Sequence, residues 1–301
     1  MKINNVIKLP EWYNYIEVYL TLRCNLGCSY CINESSGRPF REREELSAAQ
    51  WASGLNRIDF GENPLTIGGG EPTLHKGFFE LLRLLRPDIK VDLLTNLEFD
   101  VEEFIGQTTP ERFNHCELPA YKAIRVSYHS EKMDPEVLMK KVIKIQDAGF
   151  SIGVFGLNHP LSTTQNMIMA ELARENRVFF FVKDFLGKFN GKLFGHFKYE
   201  LALDGIPKPA DCRTQEILVA PNGSIFRCHR DLYLADGAIA NVTDPEIEIM
   251  DKFRHCDHYG QCNPCDVKLK TNRFLQMGSC AVEIKEDRAN IADGKKHDRQ
   301  P

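Results

Sequence analysis

The chain has 301 residues, 43% hydrophobic and 27% charged, with 10 cysteines and a formal charge of −4. That apolar content is too high for a disordered chain, and the mildly acidic balance lacks the basic face that nucleic acid demands. No apolar run approaches the ~20 residues of a membrane helix: 178–182 is apolar, but Lys183 and Asp184 end it.

In chain order, the first ten residues carry Lys2, Asn4, Asn5 and Lys8 and do not read as a signal peptide, so the expectation is cytoplasmic. Residues 15–21 (YIEVYLT) predict a strand that runs into a cysteine-rich loop. Residues 44–57 predict a helix, 65–67 a short strand ending in three glycines, and 78–85 a helix stopped ahead of Pro87. A strand at 89–95, a short helix at 101–105 and a strand at 123–127 follow. Residues 135–148 form an amphipathic pattern opened by Pro135 and closed by Gly149. A strand at 150–157, a helix at 164–175 and a strand at 177–182 complete six strand–helix units, the last helix unassigned.

Such alternation predicts an α/β fold with a parallel sheet and helices outside. Six units are too few for a closed eight-stranded barrel and suit a partial (β/α)6 TIM-like barrel, with chemistry in the loops at the C-terminal strand ends. Gly205, Pro207 and Pro209 mark a linker at 203–211. The expected division is a barrel over 1–200, a small cysteine-rich β-hairpin/helix domain over 201–290, and a polar tail at 291–301.

Cys24, Cys28 and Cys31 stand as C-x3-C-x2-C directly after the first strand. Three thiolates this close can hold one metal centre; a [4Fe–4S] cube usually takes four, so three leave one iron open. Structural zinc with a distant fourth ligand, Cys116 or a histidine, is the alternative. The next strand runs into Gly68-Gly69-Gly70-Glu71-Pro72-Thr73. Consecutive glycines let a ligand approach the backbone closely, and the Glu71 carboxylate can accept from a bound ammonium group.

In combination these two motifs resemble those of the radical S-adenosylmethionine (radical SAM) enzymes, over about residues 12–200. The resemblance implies a [4Fe–4S] cluster on Cys24, Cys28 and Cys31, with the amino and carboxylate groups of S-adenosylmethionine on the fourth iron. It matches Gly69, Gly70 and Glu71 to the motif that contacts that amino group, and places the Tyr30 ring near the adenine. Asn96 and Ser127, at the third and fourth strand ends, become candidate cofactor contacts, with Thr95 and Arg125 behind them. The solitary His75 and His129 read as solvated and Cys116 as a buried thiol.

Downstream lie Cys212, Cys228, Cys256, Cys262, Cys265 and Cys280. Residues 217–220 and 224–227 flank Pro221-Asn222-Gly223 and predict a hairpin that brings Cys212 and Cys228 toward one end. Cys262 and Cys265 add a pair at a two-residue gap, so a structural zinc is one reading. The segment is similar to the SPASM and twitch extensions of radical SAM enzymes, although the later cysteine run lacks its first member. That similarity implies one auxiliary [4Fe–4S] cluster on Cys212, Cys228, Cys262 and Cys265. Cys256 and Cys280, helped by His255 or His258, are left for a second.

The implied activity is that of a radical SAM oxidoreductase or maturase. An external flavodoxin- or ferredoxin-like reductant delivers one electron, S-adenosylmethionine is cleaved to a 5′-deoxyadenosyl radical, and the radical takes hydrogen from a substrate at the barrel mouth. The auxiliary cluster would accept an electron or bind the substrate. A peptide or protein side chain is the favoured substrate, and dehydrogenation or epimerisation of a small metabolite such as an amino sugar is the alternative. A non-catalytic zinc or iron–sulfur protein is a third reading.

Overall fold

The computed structural model describes residues 6–31, 33, 37, 39–116, 120–185, 187–194, 206, 208–259 and 282–285. Cys262, Cys265, Cys280 and the polar tail lie outside these residues. Near the N-terminus β1 (Ile7–Lys8) and β3 (Ile58–Asp59) form a short parallel pair. The main sheet contains β2 (Tyr15–Thr21), β4 (Leu65–Gly69), β5 (Val91–Thr95), β6 (Ile124–Ser127), β7 (Ile152–Asn158) and β8 (Phe179–Asp184). These six lie side by side in chain order with every neighbouring pair parallel. They are the six strands expected from the sequence, and the α/β reading with a parallel sheet holds.

The crossovers are α1 (Ala48–Leu55), α2 (Phe78–Leu84), α3 (Val101–Gln107), α4 (Pro135–Asp147) and α5 (Thr163–Glu175). Local chemistry sets their starts. Ser47 accepts from the Gln50 N–H in a capping box, and the Asp100 and Asp134 carboxylates accept from the first-turn N–H groups of α3 and α4. The first helix is shorter than expected: residues 42–44 make a separate 3-10 turn, and the Ser47 cap opens α1 only after it.

Strand alternation sorts the side chains onto two faces. Ile16, Val18, Leu20, Leu65, Ile67, Val91, Leu93, Ile124, Val126, Ile152 and Val154 share one core with Trp51, Leu55, Leu81, Phe104, Val142, Ile145 and Met169 of the helices. Burying each such side chain contributes about 1.5–3 kcal/mol, so this layer carries most of the fold's stability. The opposite face presents Tyr15, Glu17, Tyr19, Thr66, Asp92 and Arg125, all buried and mostly polar.

After β8 the described chain forms a hairpin of β9 (Gly187–Phe189) and β10 (Lys192–Phe194). The C-terminal part contains β11 (Lys208–Thr214), β12 (Glu216–Val219), β13 (Ser224–Phe226), α6 (His229–Leu234), β14 (Ala240–Asn241), β15 (Arg254–Tyr259) and β16 (Val282–Lys285). The expected hairpin is β12–β13, turning through Gly223 at φ +84°. Its first strand also pairs in parallel with β2, Ile217 opposite Ile16 and Val219 opposite Val18, so the hairpin continues the barrel sheet. The signal was the unalternating run Ile217, Leu218, Val219 and Ala220, the mark of a strand covered on both faces. β11 lies between β15 and β16 in a separate antiparallel sheet. No helix among the described residues is long and apolar enough to cross a membrane.

Candidate active site

The cysteine loop and the glycine turn are held together through their backbones. The Gly70 N–H donates to the Thr21 carbonyl and the Glu71 N–H to the Arg23 carbonyl, both at 2.8 Å. Only glycine permits this. An added Cβ would collide with the Glu17 carboxylate at Gly68, with the Thr21 carbonyl at Gly69 and with the Arg23 carbonyl at Gly70. Gly69 also sits at φ +126°. The Arg23 side chain completes the clamp, donating to Thr21 Oγ1 at 3.2 Å and to the Leu74 carbonyl at 3.0 Å and pairing with Glu45 at 3.2 Å.

Glu71 is fully buried and works inside the protein. Its carboxylate accepts from the Thr73 N–H (3.2 Å), Thr73 Oγ1 (2.7 Å), Thr95 Oγ1 (2.9 Å) and the Asn96 N–H (2.7 Å). A carboxylate offers about four acceptor positions, so these donors occupy it. Beside the buried Glu71, Gly69 and Gly70 are half-exposed. Burial raises the Glu71 carboxyl above the usual range, and the donors from Asn96, Thr73 and Thr95 oppose that rise.

Asn96 ties the end of β5 to the cysteine loop. Its Nδ2 donates to Asn25 Oδ1 at 2.7 Å and lies 3.6 Å from Cys24 Sγ, while Asn25 Nδ2 donates to the Glu98 carbonyl at 2.9 Å. Leu97, next in the chain and fully buried, holds φ +61°, a conformation non-glycine residues take only where surroundings enforce it. Cys31 and Cys24 lie near enough to Cys28 for their charges to act on its thiol. Burial pushes the Cys28 thiol up to about 12, and Glu131 adds to it. Such a thiol stays protonated until a metal displaces the proton. No three His, Cys, Asp or Glu side chains among the described residues are gathered to hold a single ion. A cube sets each thiolate on its own iron and spaces them more widely than one zinc does.

The far end of the loop reaches the loops after β6 and β7. The Ser29 N–H donates to Glu131 at 2.6 Å, and Tyr30 is hydrogen-bonded to His129 Nδ1 at 3.1 Å. The Tyr30 ring also lies 5.6 Å from that of His159, which is packed edge-on against Phe185 and Phe189. His129 is therefore partnered, and His75 is buried with Nε2 2.9 Å from the Leu46 carbonyl; neither is solvated as expected. His159 was not singled out in the sequence; its signal was its place one residue beyond β7. Ser127 ends β6 half-buried, opposite Phe155. Cys116 is half-buried and packs against the main core.

Beneath the loop, the helix-averted face of the sheet is a polar floor. Asp92 accepts from Arg125 Nη2 (3.1 Å) and from Tyr121 (2.6 Å) and lies 3.1 Å from His115 Nε2. Arg125 thus pairs with the neighbouring strand β5. Tyr15 donates to Glu17 at 2.8 Å, and Glu216 lies 3.3 Å from His229 Nδ1. In the C-terminal part Cys256 is hydrogen-bonded to Cys212, and Cys228 lies near enough for its charge to act on Cys212.

Residues 18–115, about a third of the chain, match the model of the Radical SAM superfamily. A [4Fe–4S] cluster and S-adenosylmethionine are the cofactors this family implies. A probable GTP 3′,8-cyclase of Methanopyrus kandleri is 37% identical over 82 residues, 27% of this chain and 26% of that protein. The sporulation killing factor maturation protein SkfB of Bacillus subtilis is 45% identical over 64 residues, 21% of this chain and 15% of that one. These matches thus span about a quarter or less of the relatives' length. Among solved structures, Streptococcus suis SuiB bound to its precursor peptide SuiA superposes with a TM-score of 0.54 at 15% identity, over 77% of this chain and 63% of SuiB. That likeness supports the partial-barrel fold.

Two outcomes follow from the clamp. Gly70→Ala should lower thermal stability by about 1–3 kcal/mol, the range for overpacking, while Gly27→Ala, with open space around its Cβ, should leave the melting midpoint in place. For Glu71, a raised folded-state pKa means its contribution is present at low pH and lost as pH rises through that pKa. The stability gap between wild type and Glu71→Gln should narrow as pH rises from about 4.5; urea midpoints across pH would expose a widening gap and overturn burial as the dominant cause.

Proposed function

We propose that this chain is a radical SAM maturase that takes a hydrogen atom from a peptide or protein side chain. The reading keeps a barrel over 1–200 and a cysteine-rich extension over 201–290 carrying an auxiliary iron–sulfur cluster. A [4Fe–4S] cluster with S-adenosylmethionine, reduced by an external one-electron donor, supplies the sulfonium cleavage and the 5′-deoxyadenosyl radical. Cys24, Cys28 and Cys31 would hold that cluster, and the backbone of Gly69 and Gly70 would receive the cofactor's methionine end. Tyr30, fixed by His129 and His159, would flank the adenine, with Ser127 within the same mouth. Asn96 would act by fixing the loop at Cys24. Cys212 and Cys228 would hold the auxiliary cluster, with Cys262 and Cys265 as the resemblance implies.

The observation that carries the substrate class is the charge of the floor. Glu17, Asp92 and Glu216 face it, and Arg125, the guanidinium of that layer, is already committed to Asp92. A triphosphate entering there would meet like charge in a low dielectric, with no free guanidinium in that layer among the described residues to receive it. A neutral or cationic side chain on a peptide meets no such cost. The maturation protein SkfB, similar over 64 residues, supports the same choice. A second reading, a GTP 3′,8-cyclase, is favoured by the similarity to the M. kandleri protein and is set against that floor.

Two measurements separate these. Cys28→Ala should abolish 5′-deoxyadenosine formation in the reconstituted enzyme, and survival of that cleavage would refute the cluster assignment. Ribose-deuterated GTP should leave deoxyadenosine formation at its substrate-free rate with no deuterium incorporated, whereas a mixed peptide library should raise it. Deuterium passing from GTP into deoxyadenosine would overturn the peptide reading.

A further inference from the structure

The spacing of the six downstream cysteines leaves their grouping open, and the structure groups three of them. Cys212 lies on β11, buried, with Arg254 directly opposite on β15. Cys256 is two residues beyond Arg254, so alternation puts it diagonally across from Cys212 on the same face of the sheet. The Cys212 thiol is hydrogen-bonded to Cys256. Cys228 arrives from the other sheet, just after β13 and just before α6, and is also buried. Its charge acts on Cys212.

Arg227 stands among these thiols with one donor to spare. Its Nε pairs with Asp231 at 3.2 Å, and its Nη2 donates to the His255 carbonyl at 3.0 Å, beside Cys256. Its Nη1 is buried with no hydrogen-bond partner. The guanidinium also feels the charges of Cys212 and Cys228. A buried donor left unpaired costs about 1–3 kcal/mol, and in a native structure it calls for an acceptor. Neutral thiols are weak acceptors; an anionic iron–sulfur cluster presents thiolates and sulfides that accept well.

We propose that Cys256 joins Cys212 and Cys228 as a thiolate ligand of the auxiliary cluster, and that Arg227 donates its remaining N–H to that cluster. The proposal rests on the reading above for the class of cofactor and puts Cys256 in the place of one of the two further ligands that the resemblance implies, since a cube takes four thiolates. Arg227 is a positioning residue that also offsets the cluster's negative charge. A cation at this distance favours the reduced, more negative state, so it raises the midpoint potential.

The test uses the full chain with Cys24, Cys28 and Cys31 changed to Ala, reconstituted anaerobically with ferrous iron and sulfide. Iron, sulfide and the paramagnetic resonance signal of the dithionite-reduced protein are then read. Adding Cys256→Ser should remove the remaining iron as fully as Cys212→Ser does, while Cys116→Ser should keep it. Full iron and an unchanged signal in Cys256→Ser would overturn the ligand assignment and leave the auxiliary cluster standing. A triple variant holding no iron would overturn both. Should Cys256→Ser fail to fold, thiol alkylation of the wild-type chain serves instead. Cys212, Cys228 and Cys256 should react about tenfold more slowly before a chelator strips the iron than after, with Cys116 unchanged. Equal rates at Cys256 in the two states would overturn the proposal. Arg227→Gln should shift the midpoint potential downward and Arg227→Lys less so; no shift in either would overturn the role of Arg227.

Discussion

Two backbone hydrogen bonds, Gly70 N–H to the Thr21 carbonyl and Glu71 N–H to the Arg23 carbonyl, set the position of everything at the barrel mouth. They require the glycine strand end and the cysteine loop to touch without intervening side chains, a contact closer than any Cβ allows. Once made, it places the first thiolate, Cys24, one residue from a fixed carbonyl. The Glu71 carboxylate then carries the constraint sideways to Thr95 and Asn96, and Asn96 returns it to Cys24 and Asn25. The circuit closes on itself, so the loop is positioned from the β2, β4 and β5 strand ends at once. Preorganisation of this kind removes the ordering cost from the binding step.

The glycine triplet also reaches downward. Gly68 leaves room for the Glu17 carboxylate, so the same motif that seats the loop sets the acidic character of the floor. Glu17, Glu216 and the Asp92–Arg125 pair lie on the face of the sheet that the helices do not cover. Buried charges of this kind are a stability cost that a packed apolar layer would avoid.

Much of this was legible in the sequence, because it is local. The six strands and five helices came from apolar periodicity and boundary residues such as Pro87, Pro135 and Gly149, and the two motifs from contiguous residues. The chemistry hidden from the sequence is what depends on distant partners. Glu71 reads as a free carboxylate until its donors at Thr95 and Asn96 arrive from the next strand. His129 reads as solitary, and nothing singles out His159, until the cysteine loop brings Tyr30 to them. The parallel pairing of β12 with β2 joins residues some two hundred positions apart, and no periodicity encodes which edge a buried strand will choose.

That pairing has a consequence for the two cysteine groups. Because β12 continues the barrel sheet, the hairpin and α6 are anchored to β2 and cannot swing as a tethered module would. α6 begins directly after Cys228 and carries Tyr233 near its other end. The Tyr233 ring packs edge-on against Tyr19 of β2 at 6.3 Å, and Cys31 is near enough for its charge to act on the phenol. Six helical residues span about 9 Å, so one short helix sets the separation between the second cysteine group and the first. The sequence interval between Cys31 and Cys228 is long, yet the fold makes their spacing a property of α6 and of the strand pair beneath it. A cluster held at Cys228 would therefore stand at a fixed distance from one held at Cys31, whatever substrate lies between them.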